Sequence, residues 1–376
     1  MRKIVIIGPV YPYKGGISHY TGLLYRALCK TNDVEMVSYK MQYPRFLFKK
    51  EQKDYSNDQF KIEGTKFWLH TANPLNIIRT AGKISEMKPD LVIIQWWHPY
   101  FSPCYWILTR FLRNTKVLFI CHNVFPHERF PLDRLLTRLA LSRGDGFLLH
   151  AESDVHELQQ IKKEACYKVA VHPTYNAFKL TGMDREEARE KLGLDNNDKV
   201  LLFFGYVRPY KGLKYLLKAM PQIAEKIKNV TLLVVGEFGG DRSEYVELIE
   251  NLKIGAFVRC YEGYIPDKEV EKFFAACDAV VLPYVSATQS GIAQIAYGFE
   301  KPVIAANVGG LPDVVLDGKT GRLVAPENPD AIAEAVISFF DEDHEEMYKK
   351  NIEEQAYRFS WDRMRETIDA FEWSEK

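Results

Sequence analysis

Arg208 and Lys211 stand three residues apart in Gly205-Tyr206-Val207-Arg208-Pro209-Tyr210-Lys211-Gly212. Arginine supplies a planar fork and lysine a compact point charge, so the pair can share one diphosphate. Pro209 braces the turn between them. An exposed basic loop would have the same composition; its place between an apolar run and a helical pattern favours binding. Pro283-Tyr284-Val285-Ser286-Ala287-Thr288-Gln289-Ser290-Gly291 also follows an apolar run, and opens a helix to Phe299 that carries Gln294. Thr288 and Ser290 suit a helix cap. The remaining amides, with Gln289 and Gly291, suit a phosphate. The two uses are compatible, because cap and anion take different N–H groups.

Two further loops lie in the first half. Gly8-Pro9-Val10-Tyr11-Pro12-Tyr13-Lys14-Gly15-Gly16-Ile17-Ser18 joins an apolar run to a helix. The adjacent Gly15 and Gly16 either let the backbone approach an anion or make a plain tight turn. The loop has neither the Gly-x-Gly-x-x-Gly fingerprint nor a Walker pattern, which disfavours a dinucleotide enzyme or an NTPase. Cys121-His122-Asn123-Val124-Phe125-Pro126-His127-Glu128 sets His122 at a strand end. There the imidazole either bonds a substrate hydroxyl, transfers a proton or is satisfied by backbone carbonyls. His127 and Glu128 extend the set, but their spacing matches no metal motif, so no metal is expected.

The elements that must position these loops alternate. Strands are expected at Lys3–Val10, Val34–Tyr39, Leu91–Gln95, Lys116–His122 and Gly146–His150, with helices near 17–29, 74–87, 101–113, 131–142 and 153–164. The order begins again with strands at Val200–Gly205, Val230–Gly236, Phe257–Tyr261, Ala279–Pro283 and Val303–Ala306. Helices are expected there at Leu213–Lys226, Ser243–Leu252, Val270–Ala276, Gly291–Phe299 and Asp330–Phe340. Apolar runs alternating with helices imply parallel sheets of βαβ units. The fold class is therefore α/β, with two doubly wound Rossmann-like domains, 1–175 and 176–359, and a last helix at 360–376. Thr174–Asp198, with its charged helix Arg185–Leu192, reads as the linker region. In such sheets ligands bind beyond the carboxyl ends of the strands, where all four loops fall.

Composition bounds the class. The 376 residues are 47% hydrophobic and 27% charged, with no net charge. That excludes disordered, collagen-like and disulfide-scaffold readings. No apolar run reaches the ~18 residues of a membrane span. The first residues lead into a strand rather than a signal peptide. Six scattered cysteines without a Cys-x-x-Cys pair suit a reduced, cytoplasmic protein. Residues 1–180 hold 26 Lys+Arg against 15 Asp+Glu, and the remainder holds 24 against 35. A basic first half suits an anionic partner such as a membrane surface; two solvated faces that attract each other would show the same asymmetry. The basic residues form no dense stripe and no nucleic-acid motif occurs, so no nucleic-acid partner is expected.

In this order and spacing the motifs resemble a known family, the retaining glycosyltransferases of the GT-B fold called glycosyltransferase family 4, or glycosyl transferases group 1. The resemblance rests on Gly15-Gly16, His122, Arg208 with Lys211-Gly212, Gly236 after a strand, and Gly263-Tyr264-Ile265-Pro266. It extends through Ala276-Cys277-Asp278…Pro283, Lys301-Pro302, Gly309-Gly310-Leu311-Pro312-Asp313 and Asp317-Gly318…Gly321. It implies two domains facing across a cleft, a nucleotide-sugar donor held by the second, no essential metal and no cofactor. By similarity, His122, Arg208 and Lys211 are the catalytic set, with His122 beside the transferred sugar. Arg208 and Lys211 would neutralise the leaving diphosphate. Gly15, Gly16, Gly236, Glu237, Tyr264, Thr288, Gln289, Ser290, Gly291 and Gln294 would line the donor, Tyr264 near the base. The last helix would cross back to the first domain.

Two departures stand out. The family usually carries two glutamates where this chain has Ala287 and Ile295, and often an arginine where it has Tyr206. The acceptor side falls to the first domain, with Trp97, His98, His127 and Glu128 as candidates. Trp96 and Trp97 either stack on sugars or lie in the core. The implied activity is that of a hexosyltransferase moving sugar from a UDP- or GDP-sugar to a glycan or lipid-linked acceptor, in surface polysaccharide or glycoconjugate synthesis. Its expected place is the cytoplasm, peripheral at the inner membrane face. A sugar-nucleotide epimerase of the same fold and a non-catalytic nucleotide-sugar-binding scaffold are the alternatives, the second favoured by the absent glutamates.

Overall fold

The computed structural model describes residues 1–49, 51–55, 58–126, 129–240, 242–341 and 344–373. The chain divides into two compact units, Met1–Val171 with Ser360–Lys376, and His172–Phe359. The first holds strands β1 (Lys3–Ile7), β2 (Asp33–Met41), β3 (Lys66–His70), β4 (Leu91–Trp96), β5 (Lys116–Cys121), β6 (Gly146–Leu149) and β7 (Tyr167–Val169). Its helices are α1 (Gly16–Leu28), α2 (Pro74–Glu86), α3 (Ser102–Phe111), α4 (Asp133–Leu141) and α5 (Glu152–Ile161). The strands pair in parallel in the order β3-β2-β1-β4-β5-β6-β7. All six side chains of β4, Leu-Val-Ile-Ile-Gln-Trp, are buried, as a parallel strand covered on both faces requires. α2 starts where it does because the Asn73 side chain accepts from the Asn76 amide at 3.0 Å and Pro74 sits at the first helical position.

The second unit holds α6 (Arg185–Leu192), β8 (Lys199–Phe204), α7 (Leu213–Lys226), β9 (Val230–Gly236), α8 (Ser243–Asn251), β10 (Val258–Glu262) and α9 (Asp267–Ala276). It continues with β11 (Ala279–Leu282), α10 (Gly291–Gly298), β12 (Val303–Ala306), α11 (Leu311–Val314), β13 (Gly321–Val324), α12 (Pro329–Asp341) and α13 (Glu345–Glu354). The sheet order is β10-β9-β8-β11-β12-β13. In both sheets the winding reverses once, between β1 and β4 and between β8 and β11. Ligands of doubly wound sheets bind at such switch points. The last helix, α14 (Trp361–Asp369), packs on α1. Ser360 caps it, accepting from the Arg363 amide at 3.0 Å, and Asn32 donates to Asp369 at 3.0 Å.

Three edge or near-edge strands, β3, β7 and β13, are absent from the sequence reading. Each is short, with one buried apolar side chain in β3 (Leu69) and in β13 (Val324) and none in β7, so no sustained apolar run marks them. The compact units divide at 171/172, four residues before the expected boundary.

The linker reading of Thr174–Asp198 is corrected. α6 is part of the second unit and packs on α9. Arg189 is fully buried there: its Nη2 donates to both Asp278 oxygens at 2.9 and 3.0 Å, and its Nε to the Ala276 carbonyl at 3.0 Å. Asp278 also accepts from the Val200 amide at 2.7 Å. A helix that reads as part of a linker thus supplies an internal strut through Arg189. Arg189→Met leaves a buried carboxylate with only Arg185 opposite it. It is expected to cost about 3 kcal/mol in urea unfolding, part of it recovered by adding Asp278→Leu. An unchanged urea midpoint in the single variant would refute the strut.

Candidate functional site

The switch strands β8 and β11 carry the two anion-type loops of the second unit, and their contacts are specific. The Val285 amide donates to the Tyr210 carbonyl at 2.8 Å, tying one loop to the other. Gly212 has φ +69°, and a Cβ there would lie 1.8 Å from the Pro283 carbonyl oxygen. Only glycine permits that approach. Gly309 makes the same kind of contact with the Ala287 carbonyl, and the Gly310 amide donates to the Thr288 carbonyl at 3.0 Å. The turn after β12 therefore fixes the backbone just before Ser290.

A chain of polar side chains crosses the switch point. Lys211 Nζ donates to Tyr284 Oη at 2.7 Å and sits 4.4 Å from the centre of the Tyr284 ring. Tyr284, 1% exposed, meets Ser290 Oγ at 3.2 Å, and Ser290 caps α10 through the Ala293 amide. An ammonium group is thereby placed beside a capped helix start, a combination suited to an anion. Arg208 is half-buried, 4.9 Å from the Tyr206 ring centre, with Nη1 3.5 Å from the Gly239 carbonyl. The Tyr206 ring thus stacks on the arginine two residues later.

The other second-unit candidates fall at the same strand ends. Gly236 closes β9, and the Glu237 carbonyl accepts from the Val207 amide at 2.8 Å. Tyr264 follows β10 and is 40% exposed. Thr288 and Gln289 precede the cap, and Gly291 opens α10. Gln294 is fully buried, and neither of its amide atoms has a hydrogen-bond partner among the described residues. Ile295 is buried apolar surface. Tyr284 is the residue the sequence reading passed over; sitting between a strand-ending proline and a loop, it reads as ordinary core.

In the first unit Gly15, at φ +101°, precedes α1, and Gly16 is its first residue. His122 follows β5, 6% exposed, with Nε2 2.8 Å from Gln95 Oε1. The Tyr20 ring meets His122 edge-on at 4.7 Å, His150 at 5.3 Å and Trp361 at 5.1 Å. His122 is thus held by a side chain from switch strand β4. Trp96 is core, fully buried with its Nε1 donating to the Val124 carbonyl at 3.1 Å. Trp97 is half-buried and donates to Tyr43 Oη at 3.1 Å. His98 Nδ1 accepts from the Tyr100 amide at 3.0 Å, and burial lowers its pKa, so this ring is a cap for the turn Pro99–Phe101. His127 and Glu128 lie outside the described residues. No group of three or more metal-ligating side chains occurs among the described residues.

Burial lowers His150 from 6.5 to about 4 while its Nδ1 donates to the Ala170 carbonyl at 2.8 Å. The folded protein keeps this ring neutral, whereas the unfolded chain protonates it below its ordinary value. Stability therefore falls as pH drops from about 6.5 towards 4, by up to about 3 kcal/mol from this group. His150→Asn is expected to flatten that fall in urea midpoints taken at pH 7 and 5. A parallel fall in the variant would assign the effect elsewhere.

The fold is GT-B, the two-domain architecture of many glycosyltransferases. The chain superposes over 98% of its length on sucrose-phosphate synthase from Thermosynechococcus elongatus, with TM-score 0.72, 19% identity and 98% of that chain covered. It superposes equally fully on Anabaena Alr3699/HepE, solved in complex with UDP-glucose, with TM-score 0.75, 19% identity and all of that chain covered.

Residues 184–358 match the family model for Glycosyl transferases group 1, so the second unit is a domain of that family. Similar proteins include the uncharacterized glycosyltransferase MJ1607 of Methanocaldococcus jannaschii, 30% identical over 207 residues, which are 54% of this chain and 52% of that protein. D-inositol 3-phosphate glycosyltransferase of Corynebacterium glutamicum is 31% identical over 188 residues, 48% of this chain and 45% of that protein. The chain spans about half the length of the curated relatives it matches.

Proposed function

We propose that this protein is a retaining hexosyltransferase that moves a sugar from a UDP- or GDP-sugar to a glycan or lipid-linked acceptor, in surface polysaccharide or glycoconjugate synthesis. The observation that carries the reading is the Lys211–Tyr284–Ser290 chain, which joins the basic loop to the capped start of α10 within the family domain. A developing diphosphate charge beside Lys211 and Arg208 would be stabilised by groups already in place. The reaction needs no metal for that neutralisation and no cofactor. Anabaena Alr3699/HepE binds UDP and UDP-glucose, which supports a uridine donor. The basic first unit suits work at an anionic, cytoplasm-facing membrane surface, where a lipid-linked acceptor would be met.

The deciding experiment is a thermal-shift screen against UDP, GDP, ADP, dTDP and CDP. A nucleotide at about 100 times its Kd stabilises by ~2.7 kcal/mol, so one selective rise in Tm is expected. Its sugar conjugates then enter a transfer assay. Silence from all five nucleotides would reject the donor assignment. A second reading, a nucleotide-sugar binder without turnover, is favoured by Ala287 and Ile295, which stand where the family resemblance leads one to expect carboxylates. Binding without transfer or donor hydrolysis would select it.

A further inference from the structure

The first unit carries an apolar, cationic edge outside its strand-end site. In the turn after β2, Phe46 is 77% exposed and Leu47 55%. Leu132 and Leu135, at the start and on the outer face of α4, are 67% and 62% exposed. A run of ring contacts connects the two places. Phe48 stacks on Tyr43 at 5.7 Å, and Tyr43 meets Tyr100 at 5.0 Å. His98, beside the same one-turn helix, stacks on Phe130 at 5.8 Å, and α4 packs against that helix. Side chains this apolar, exposed together along one edge, mark an interaction surface.

Cations predominate along this edge, with Glu51, whose Oε1 accepts from the Lys53 amide, the exposed carboxylate beside it. Arg45 and Lys49 flank the turn, and Arg134 and Arg138 project from α4; all four are exposed, and none makes an ion pair among the described residues. Residues 43–49 contain no carboxylate. Across 129–143 the only surface-helix carboxylate that could balance the arginines, Asp133, is buried and bound to Arg129. Exposed leucine and phenylalanine rimmed by unpaired cations is the arrangement that seats in a headgroup layer, with side chains entering the acyl boundary and cations meeting lipid phosphates.

We propose that the edge formed by the 44–48 turn and α4 docks on an anionic lipid bilayer. This deepens the lipid-linked acceptor reading: the turn between these segments follows β4, the strand that supplies Gln95 to His122. Docking would hold that strand end close to the lipid surface from which such an acceptor projects.

The test is co-sedimentation of the full chain with phosphatidylglycerol/phosphatidylcholine vesicles and with pure phosphatidylcholine vesicles, without nucleotide or acceptor. Binding is expected to the anionic vesicles alone, weakening as salt rises. Arg134→Gln with Arg138→Gln is expected to weaken it about 25-fold, at about fivefold for each arginine. Phe46→Ser with Leu47→Ser is expected to weaken it about tenfold or more, while Arg134→Lys with Arg138→Lys restores binding. All are surface changes, so melting curves should match the parent. Wild-type protein left in the supernatant, neutral vesicles bound as tightly, or both double variants binding like the parent would each overturn the proposal. Because no donor or acceptor is present, these outcomes are independent of the nucleotide screen that tests the transferase reading.

Discussion

Lys211→Ala is expected to lower kcat/KM for sugar transfer by about 10²–10³-fold, the usual loss on removing one preorganised group that meets developing charge. The nucleotide-dependent rise in Tm should shrink with it, since the same ammonium would meet the diphosphate in the bound donor. The prediction follows from how the side chain is held. Tyr284 accepts from Nζ at 2.7 Å and presents its ring face to the same charge, so the ammonium does not need to be gathered from solvent when donor arrives. Lys211→Arg should not rescue, because a planar fork cannot occupy the place of a compact ammonium against that ring. Tyr284→Phe keeps the ring and deletes the hydroxyl that links Lys211 to Ser290, so a smaller loss is expected, about tenfold for one neutral-partner hydrogen bond to a charge. Transfer rate and donor affinity both unchanged in Lys211→Ala would show that the diphosphate lies elsewhere.

The contrast between Lys211 and Arg189 shows what the sequence makes legible. Both are cations in the first part of the second unit. Lys211 lies between a strand with a five-residue apolar run and an amphipathic helix, so strand-end placement makes it legible as a site candidate. Arg189 sits in a helix whose residues are mostly charged, and nothing local announces Asp278, which lies 89 residues away. Pairing at that range depends on the packing of α6 on α9, which periodicity cannot supply. Tyr284 and Gln95 escaped for a related reason. Each stands at the end of a buried strand where a side chain reads as core, and only the β8–β11 and β4–β5 neighbours show what it bonds. The sheet-forming runs were legible because all-buried parallel strands need unbroken apolar sequence. The edge strands β3 and β13 were not, being short and half wet.

The same neighbour relation between β4 and β5 leads to the second large effect. His122→Ala is expected to reduce kcat by about 10²–10³-fold while leaving the nucleotide-induced shift in Tm nearly intact. His122 belongs to the first unit and the nucleotide candidates to the second, so the two losses should separate. In the first unit the ring is fixed on two sides, by Gln95 Oε1 at 2.8 Å and edge-on by Tyr20 at 4.7 Å. With Nε2 donating to Gln95 Oε1, the ring is held in one orientation, which suits a group that meets a substrate hydroxyl. A Gln95→Met variant removes that hydrogen bond but keeps the volume. It should lower kcat less than His122→Ala while leaving the nucleotide-induced rise in Tm intact, a split that a general packing defect would not give. Melting curves distinguish a cavity from a chemical loss, since Ala in place of a 6% exposed ring also costs stability. If His122→Ala instead abolishes the nucleotide shift and spares kcat at saturating donor, the histidine serves donor binding and its placement beside the transferred sugar is wrong.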